Sequence, residues 1–227
     1  MVRLEGVDKT FVMHLRGGAT LPVLRGVTFQ VRAGECVVLD GPSGAGKSSI
    51  LKMVYGNYRA DAGRIEVRDD GEWVDVASAA PRRILCLRRR AIGYVSQFLR
   101  TIPRVGALDI VAAAGREFGM EPQQARTRGA ELLFRLNISE RLWQLPPSTF
   151  SGGEQQRINI ARGFAAARPI LLLDEPTAAL DKRNRSVVID FIRERKRTGV
   201  ALIGIFHDDD VKQQIGDRIV NVSHFRA

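Results

Sequence analysis

Residues 41–48, which read Gly-Pro-Ser-Gly-Ala-Gly-Lys-Ser, constrain the fold of this chain more than any other stretch. They match the phosphate-loop pattern GxxxxGK[ST], follow the apolar run Cys36–Leu39 and precede a segment of helical character, Ser49–Val54. A strand, a glycine-rich loop and a helix are the context that this motif requires. The glycines let successive N–H groups point at one anion, and the helix N-terminus adds partial positive charge. We therefore predict a nucleotide site, since a chance match in a chain of this size is roughly a one-in-a-hundred event.

Two side chains of this loop have chemistry of their own. Lys47 is placed to reach the β- and γ-phosphates of a nucleotide, and the Ser48 hydroxyl is a candidate ligand of Mg²⁺. Both roles are known from phosphate loops in general. The sequence thus predicts a site for a nucleoside triphosphate with its magnesium ion.

Asp174 and Glu175 directly follow the fully apolar run Ile170–Leu173, which reads as a buried strand. Two carboxylates at the end of such a strand are costly to place without a use. Asp174 can hold Mg²⁺ directly or through water, and Glu175 can orient and polarise an attacking water molecule. A surface turn with acidic residues is the alternative, and the apolar strand argues against it.

A second buried strand, Val200–Phe206, ends at His207. A lone histidine is more often structural than catalytic. At the carboxyl end of a core strand, however, the ligands of open α/β sheets gather, and this position favours a functional role.

Residues 150–157 open a helix with the sequence Phe-Ser-Gly-Gly-Glu-Gln-Gln-Arg. Ser151 can cap this helix, with Glu154 three positions later completing a capping box. Taken alone, the pattern is also that of an ordinary helix start. Because Gly152 and Gly153 lie on the helix N-terminus, their amides form a candidate anion site as well.

The remaining pattern predicts an α/β fold in a single domain, residues 1–227. Residues 4–11 begin an edge strand, and the alternating apolar residues of 27–31 and the hairpin around Asp69–Gly71 predict half-buried antiparallel strands beside the nucleotide site. The strand Ile92–Ser96 leads into Gln97, and residues 107–166 are predicted to form an inserted helical subdomain. Phe11 is equally consistent with stacking on adenine and with core packing.

The formal net charge of +10 suits polyanions such as nucleotide phosphates, nucleic acid or an acidic partner. Much of this charge is local, in the arginines of residues 82–90, and a solvated basic helix face explains that run about as well as a binding role does. No apolar run approaches the ~20 residues that cross a bilayer, and the N-terminus lacks the apolar core of a signal peptide. We therefore expect any membrane role to come through a partner. Cys36 and Cys86 show no metal or redox spacing, and a reduced thiol at Cys36, in its buried strand, agrees with a cytoplasmic protein.

The order of these motifs along nearly the whole chain resembles that of the ABC-type ATPases, which implies a P-loop NTPase of ABC type with a mixed β-sheet core, an antiparallel β-subdomain and the helical subdomain. The resemblance implies Mg²⁺-dependent hydrolysis of ATP by two domains, identical or related, that meet head to tail. It assigns Gly41–Ser49 to the Walker A loop, Gln97 to the Q-loop, Ser151–Gln155 to the signature, Asp174 to the Walker B aspartate, Glu175 to the catalytic base, Asp181 to the D-loop and His207 to the switch histidine. Glu154 stands where glutamine is commonest, Ala178 where serine is frequent, and Phe11 where tyrosine usually stacks on adenine.

The resulting candidates fall into three groups. The nucleotide-binding candidates are Phe11, Gly41, Pro42, Ser43, Gly44, Ala45, Gly46, Lys47, Ser48, Ser49, Ser151, Gly152, Gly153, Glu154 and Asp181. The catalytic candidates are Lys47, Gln97, Glu175 and His207, and the candidate magnesium ligands are Ser48, Gln97 and Asp174.

Four further stretches, Val95–Arg100, Glu140–Trp143, Pro147–Phe150 and Gly204–Asp208, look like the ATP-binding L component of the phosphonate carbon–phosphorus lyase system. That resemblance implies association with an enzyme complex that transfers the ribose triphosphate of ATP to methylphosphonate. The sequence leaves open whether the ATP bound here is only fuel or also the ribose-triphosphate donor, and fuel is favoured because the motif set is built for hydrolysis of the γ-phosphate. The catalytic motifs fit equally well an ATP-hydrolysing subunit of a membrane transporter. A nucleic-acid-handling ATPase is a third hypothesis, but the chain shows no recognisable DNA-binding module.

Overall fold

The computed structural model of the protein describes residues 1–13, 18–99 and 103–227. Arg100, the last residue of one stretch that carries the phosphonate resemblance, lies outside these ranges. The strands are β1 (Val2–Met13), β2 (Ala19–Val31), β3 (Cys36–Asp40), β4 (Ala62–Asp69), β5 (Glu72–Asp75), β6 (Ile92–Val95), β7 (Ile170–Asp174), β8 (Ala201–Ile205) and β9 (Arg218–Asn221). The helices are α1 (Lys47–Val54), α2 (Pro81–Arg90), α3 (Ala107–Glu117), α4 (Pro122–Arg135), α5 (Gly152–Ala165), α6 (Lys182–Arg197) and α7 (Asp209–Ile215).

A parallel sheet of order β6-β7-β8-β3-β9 forms the centre of the fold. Its inner strands β7 and β8 are buried along their whole length, as parallel strands covered on both faces must be. Leu171 packs in one apolar cluster with helices α3 to α6. Its neighbour Leu172 points to the opposite face and packs in a second cluster with α1 and with the strands β1, β2 and β4. The register aligns the carboxyl ends of β6, β7, β8 and β3, so the residues that follow these strands meet at one edge.

The antiparallel strands form a separate sheet of order β2-β1-β4-β5. The fold class is therefore confirmed, with parallel and antiparallel pairing divided between two sheets. The prediction that the first strand lies at an edge is wrong, because β1 pairs with β2 on one side and with β4 on the other. Alternating side chains report which face of a strand is covered and carry no information about its hydrogen-bonded neighbours.

The predicted helical segment contains α3, α4 and α5. The interruption between α3 and α4 has a local cause: Gly119 adopts a positive φ of 100°, and Pro122 occupies the first turn of α4. Ser151 and Glu154 form the predicted capping box at the start of α5. The extent of a subdomain over 107–166 stays a prediction. Among the described residues, no helix has the length and apolar character needed to cross a membrane.

The two cysteines differ in accessibility, which leads to a first testable prediction. Cys36 is fully buried in β3, and burial raises the pKa of its thiol to about 12, whereas Cys86 is half-buried on α2. At pH 8 a thiol of pKa 12 is ionised to only about one part in ten thousand, and the thiolate is the reactive form. We expect iodoacetamide to label Cys86 and spare Cys36 in the folded protein, and to label both in urea, as read by mass spectrometry. Rapid labelling of Cys36 without denaturant would contradict this placement.

Candidate nucleotide-binding site

A cleft of about 490 Å³ opens at the carboxyl edge of the parallel sheet. It is lined by Phe11, Leu21, Val23, residues 43–49, Gln97, Glu175 and His207. The structure thus brings together most of the sequence-predicted residues, from the phosphate loop and from three strand ends. The loop requires glycine at Gly46, where φ is +97° and an added Cβ would lie 2.8 Å from a methyl carbon of Leu24.

Lys47 lies at the start of α1 and is almost fully buried, with 8% of its surface exposed. Its Nζ donates hydrogen bonds to the backbone carbonyl oxygens of Gly41 at 2.6 Å and Pro42 at 2.9 Å. The ammonium group is therefore held across the loop, beside the amides that would receive a phosphate. This arrangement suits a cation that both braces the loop and contacts a bound anion.

Ser48 and Asp174 form the candidate metal pair, which means the two side chains that would together hold one Mg²⁺ ion. The Ser48 hydroxyl donates to Asp174 Oδ1 at 3.0 Å, and the aspartate is 5% exposed. A hydroxyl and a carboxylate are hard oxygen ligands, and Mg²⁺ is usually held by one or two carboxylates together with substrate phosphates. The residues present therefore fit a magnesium ion next to the phosphate loop.

The second oxygen of Asp174 has a partner that the sequence analysis did not identify. The hydroxyl of Tyr94 in β6 donates to Asp174 Oδ2 at 2.7 Å. One signal was available: a phenol in an otherwise apolar core strand usually finds a hydrogen-bond partner.

Glu175 takes a left-handed backbone conformation, with φ of 53°, directly after β7. Its Oε1 lies 2.8 Å from His207 Nε2, and its Oε2 accepts a hydrogen bond of 3.1 Å from the side-chain amide of Gln97. Gln97 follows β6 and His207 follows β8, and these two residues hold both oxygens of the carboxylate that follows β7, the strand between them, at the mouth of the cleft. For Gln97, proposed also as a metal ligand, the described contacts join it to Glu175 rather than to Ser48 or Asp174.

The candidate anion site at the start of α5 lies outside this cleft. The Ser151 hydroxyl donates to Glu154 Oε2 at 2.7 Å, and this bond, followed by one from the Ser151 backbone N–H, lowers the pKa of the Glu154 carboxyl. Ser151 and Gly152 are exposed, and an added Cβ at Gly152 would meet no atom within 4 Å. There is thus open space beside Gly152, whereas Gly153 is half-buried, with a Cβ position 3.4 Å from the carbonyl oxygen of Ala179.

Two other predicted nucleotide contacts occupy different surroundings. The carboxylate of Asp181 caps α6 by accepting a bond from the backbone N–H of Asn184 at 2.8 Å, which lowers its pKa, and it lies outside the cleft. The ring of Phe11 lines the cleft and contacts the edge of Tyr58, with ring centres 5.2 Å apart. Stacking of Phe11 on adenine stays a prediction.

The fold and the cleft are those of a P-loop ATPase cassette, with a phosphate loop, a hydroxyl–carboxylate pair at Ser48 and Asp174, and the carboxylate of Glu175 at the mouth of the cleft. The family described as ABC transporter matches residues 24–178. The chain therefore belongs to the ABC transporter family, and the expectation of an ABC-type, ATP-binding ATPase is confirmed.

Similar proteins agree with this assignment. The chain is 38% identical to the lipoprotein-releasing system ATP-binding protein LolD of Maricaulis maris, over 97% of this chain and 93% of that protein. It is 36% identical to the macrolide export ATP-binding/permease protein MacB of Nitrosomonas europaea, over 98% of this chain but only 32% of that protein. A solved dimeric ATP-binding cassette in a post-hydrolysis state, bound to ADP and Pi, matches with a TM-score of 0.87 and 28% identity, over 98% of this chain and 95% of that one.

The finer resemblance, to the L component of the phosphonate system, is not supported by these relatives. Their names refer to lipoprotein release and to macrolide export. Three of the four stretches that suggested the phosphonate system contain or adjoin motifs common to the whole family, at Gln97, Ser151 and His207. That overlap explains why they did not discriminate.

Proposed function

We propose that this chain is the ATP-hydrolysing subunit of a membrane ABC transporter, and that it acts at the cytoplasmic side on a permease. The observation that carries this proposal is the near full-length similarity to the ATP-binding protein of a lipoprotein-releasing system, joined to a cleft that the phosphate loop lines together with Gln97, Glu175 and His207. The macrolide export relatives combine ATP binding with a permease, and the chain aligns with about a third of their length. These relatives are named for different cargoes, so similarity of the cassette does not select a cargo.

In the proposed reaction, ATP and water give ADP and phosphate by in-line attack on the γ-phosphate. The loop amides and Lys47 bind the phosphates, and Phe11 stacks on the adenine. Ser48 and Asp174 would hold Mg²⁺, which supplies positive charge against the phosphate oxygens when it is bound. Glu175 orients the attacking water and accepts its proton. This carboxylate is positioned by His207 and Gln97.

We propose further that two cassettes, identical or related, close head to tail over the nucleotide. The start of α5, where Ser151 and Gly152 are exposed, does not line the cleft of its own chain. A second copy can present the same helix end to the γ-phosphate, where backbone N–H groups and the helix dipole favour negative charge. The similar cassette bound to ADP and Pi is dimeric, which supports this arrangement.

A groove of about 420 Å³ beside β6 is our candidate contact with the permease. It combines the apolar side chains of Leu85 and Ile110 with the arginines Arg89 and Arg116. Leu85 on α2 is 55% exposed, and the arginines of α2 surround it. An apolar segment that carries acidic residues would complement this surface, which would give the basic run 82–90 a binding role.

The test is affinity purification of the tagged chain from detergent-solubilised membranes of its source. We expect a protein with transmembrane helices to co-purify and to raise the ATPase rate. The variant Leu85→Asp should no longer bind this membrane protein, whereas Leu145→Asp, at another exposed leucine, should still bind it. Recovery of phosphonate-lyase subunits instead would favour the carbon–phosphorus lyase complex, which the similar proteins do not support. Steeply salt-dependent DNA binding would favour a nucleic-acid partner. Either result would contradict the transporter proposal.

A further inference from the structure

The carboxylate of Asp174 is held at both of its oxygens. Oδ1 accepts the Ser48 hydroxyl at 3.0 Å, and Oδ2 accepts the Tyr94 hydroxyl at 2.7 Å. Ser48 belongs to the phosphate loop and α1, whereas Tyr94 belongs to the neighbouring strand β6, where it pairs with Leu172, two residues before the aspartate. Two separate elements therefore fix the plane of one carboxylate.

This second bond matters because Asp174 is buried. A carboxylate with 5% exposure has little water available, so an oxygen without a donor would remain unsatisfied at a substantial free-energy cost. A carboxylate held at one oxygen only can also rotate about its Cβ–Cγ bond. The bond to Tyr94 removes that freedom and keeps Oδ1 directed at Ser48.

We propose that Tyr94 is a positioning residue of ATP hydrolysis: its hydroxyl orients the Asp174 carboxylate for the metal ion that accompanies the nucleotide. The inference rests on the proposed ATPase function and deepens it, since it names the residue that sets the geometry of the metal pair. A group that hydrogen-bonds to a metal ligand without touching the metal itself commonly changes metal affinity by 10- to 100-fold.

A purely structural role for Tyr94 has to be separated from this one. Its ring also packs on that of Tyr55, with centres 5.0 Å apart and planes at 31°. Tyr94→Phe removes the hydroxyl and keeps the ring. Tyr55→Phe is the matched control, since it removes the hydroxyl from the packing partner and the described contacts of Tyr55 are made by its ring and backbone.

The experiment measures how much Mg²⁺ improves ATP binding. Each substitution is made in the Glu175→Gln background to prevent turnover, and ATP dissociation constants are determined with a fluorescent analogue in EDTA and in saturating Mg²⁺. For Tyr94→Phe we expect the affinity gained with Mg²⁺ to fall about tenfold, with binding in EDTA unchanged. In the otherwise wild-type protein, the Mg²⁺ concentration for half-maximal hydrolysis should rise to a similar extent. Tyr55→Phe should leave both quantities unchanged.

Three results would overturn the proposal. If the ATP affinity that Tyr94→Phe gains with Mg²⁺ lies within twofold of the gain in Tyr55→Phe, then Asp174 needs no hydroxyl partner. An equal loss of binding in EDTA and in Mg²⁺ would reveal a packing defect and no effect on the metal. A parent protein that hydrolyses ATP without any dependence on Mg²⁺ would remove the metal role of the pair. Failure of the proposed ATPase itself would appear separately, as absent ATP binding and hydrolysis in the wild-type chain.

Discussion

Glu175→Gln is expected to bind ATP with nearly unchanged affinity and to hydrolyse it ~10²–10⁴ times more slowly, which corresponds to roughly 3–5 kcal/mol in the activation free energy. The substitution keeps the size and shape of the side chain and removes the charged oxygen that would accept a proton from water. Among the described residues, no hydrogen bond or ion pair joins this side chain to the phosphate loop or the metal pair; its polar partners are Gln97 and His207. The loss should therefore fall on the chemical step.

Slow hydrolysis should also change the oligomeric state. If two cassettes close over ATP and open after hydrolysis, the variant will accumulate as a closed dimer. We expect analytical ultracentrifugation of Glu175→Gln to show a dimer with Mg-ATP and a monomer without nucleotide. Glu131→Gln, at an exposed glutamate that pairs with Arg128 on α4, is the control and should behave like the wild type.

Full turnover in Glu175→Gln would exclude Glu175 as the base. A variant that stays inactive yet monomeric with ATP would preserve the base and remove the head-to-tail arrangement. The two halves of the proposal thus fail in different ways.

Much of the parallel sheet was predictable, because strands buried on both faces are unbroken apolar runs. Ile170–Leu173 and Val200–Phe206 are examples, and a charged residue or a histidine directly after such a run marks the carboxyl edge of the sheet. The register of neighbouring strands then brings Glu175 and His207 into contact, as the site prediction requires. Capping is also visible in sequence, since the box of Ser151 and Glu154 depends only on residues three positions apart.

Features that depend on contacts between distant elements were not predictable in this way. The central place of β1 depends on hydrogen bonds to β2 and β4, which leave no mark on its side-chain pattern. The bond from Tyr94 to Asp174 joins residues 80 positions apart, and in the sequence Tyr94 reads as one more core aromatic. The choice between a transporter and a phosphonate enzyme complex depends on outer surfaces, and the ATPase motifs do not encode those surfaces.

Lys47→Met should weaken ATP binding by about 100-fold, or about 2.7 kcal/mol, because it removes the one ammonium group bonded across the phosphate loop in the described structure. Methionine keeps most of the length of the lysine side chain and can fill the same space at the start of α1. The carbonyl oxygens of Gly41 and Pro42 lose their donor, but both residues are partly or fully exposed, so water can replace it. We therefore expect little change in thermal stability without nucleotide.

Lys52→Met is the matched control, because Lys52 lies on the same helix, does not line the cleft and has its Nζ 5.4 Å from the ring centre of Tyr58. Isothermal titration with ATP should show the large loss for Lys47→Met alone, and ATPase activity should fall in parallel. Binding by Lys47→Met within threefold of the wild type would mean that the loop amides and the helix end suffice to hold the triphosphate. In that case the ammonium group would serve only to brace the loop, as it does in its bonds to the two carbonyl oxygens.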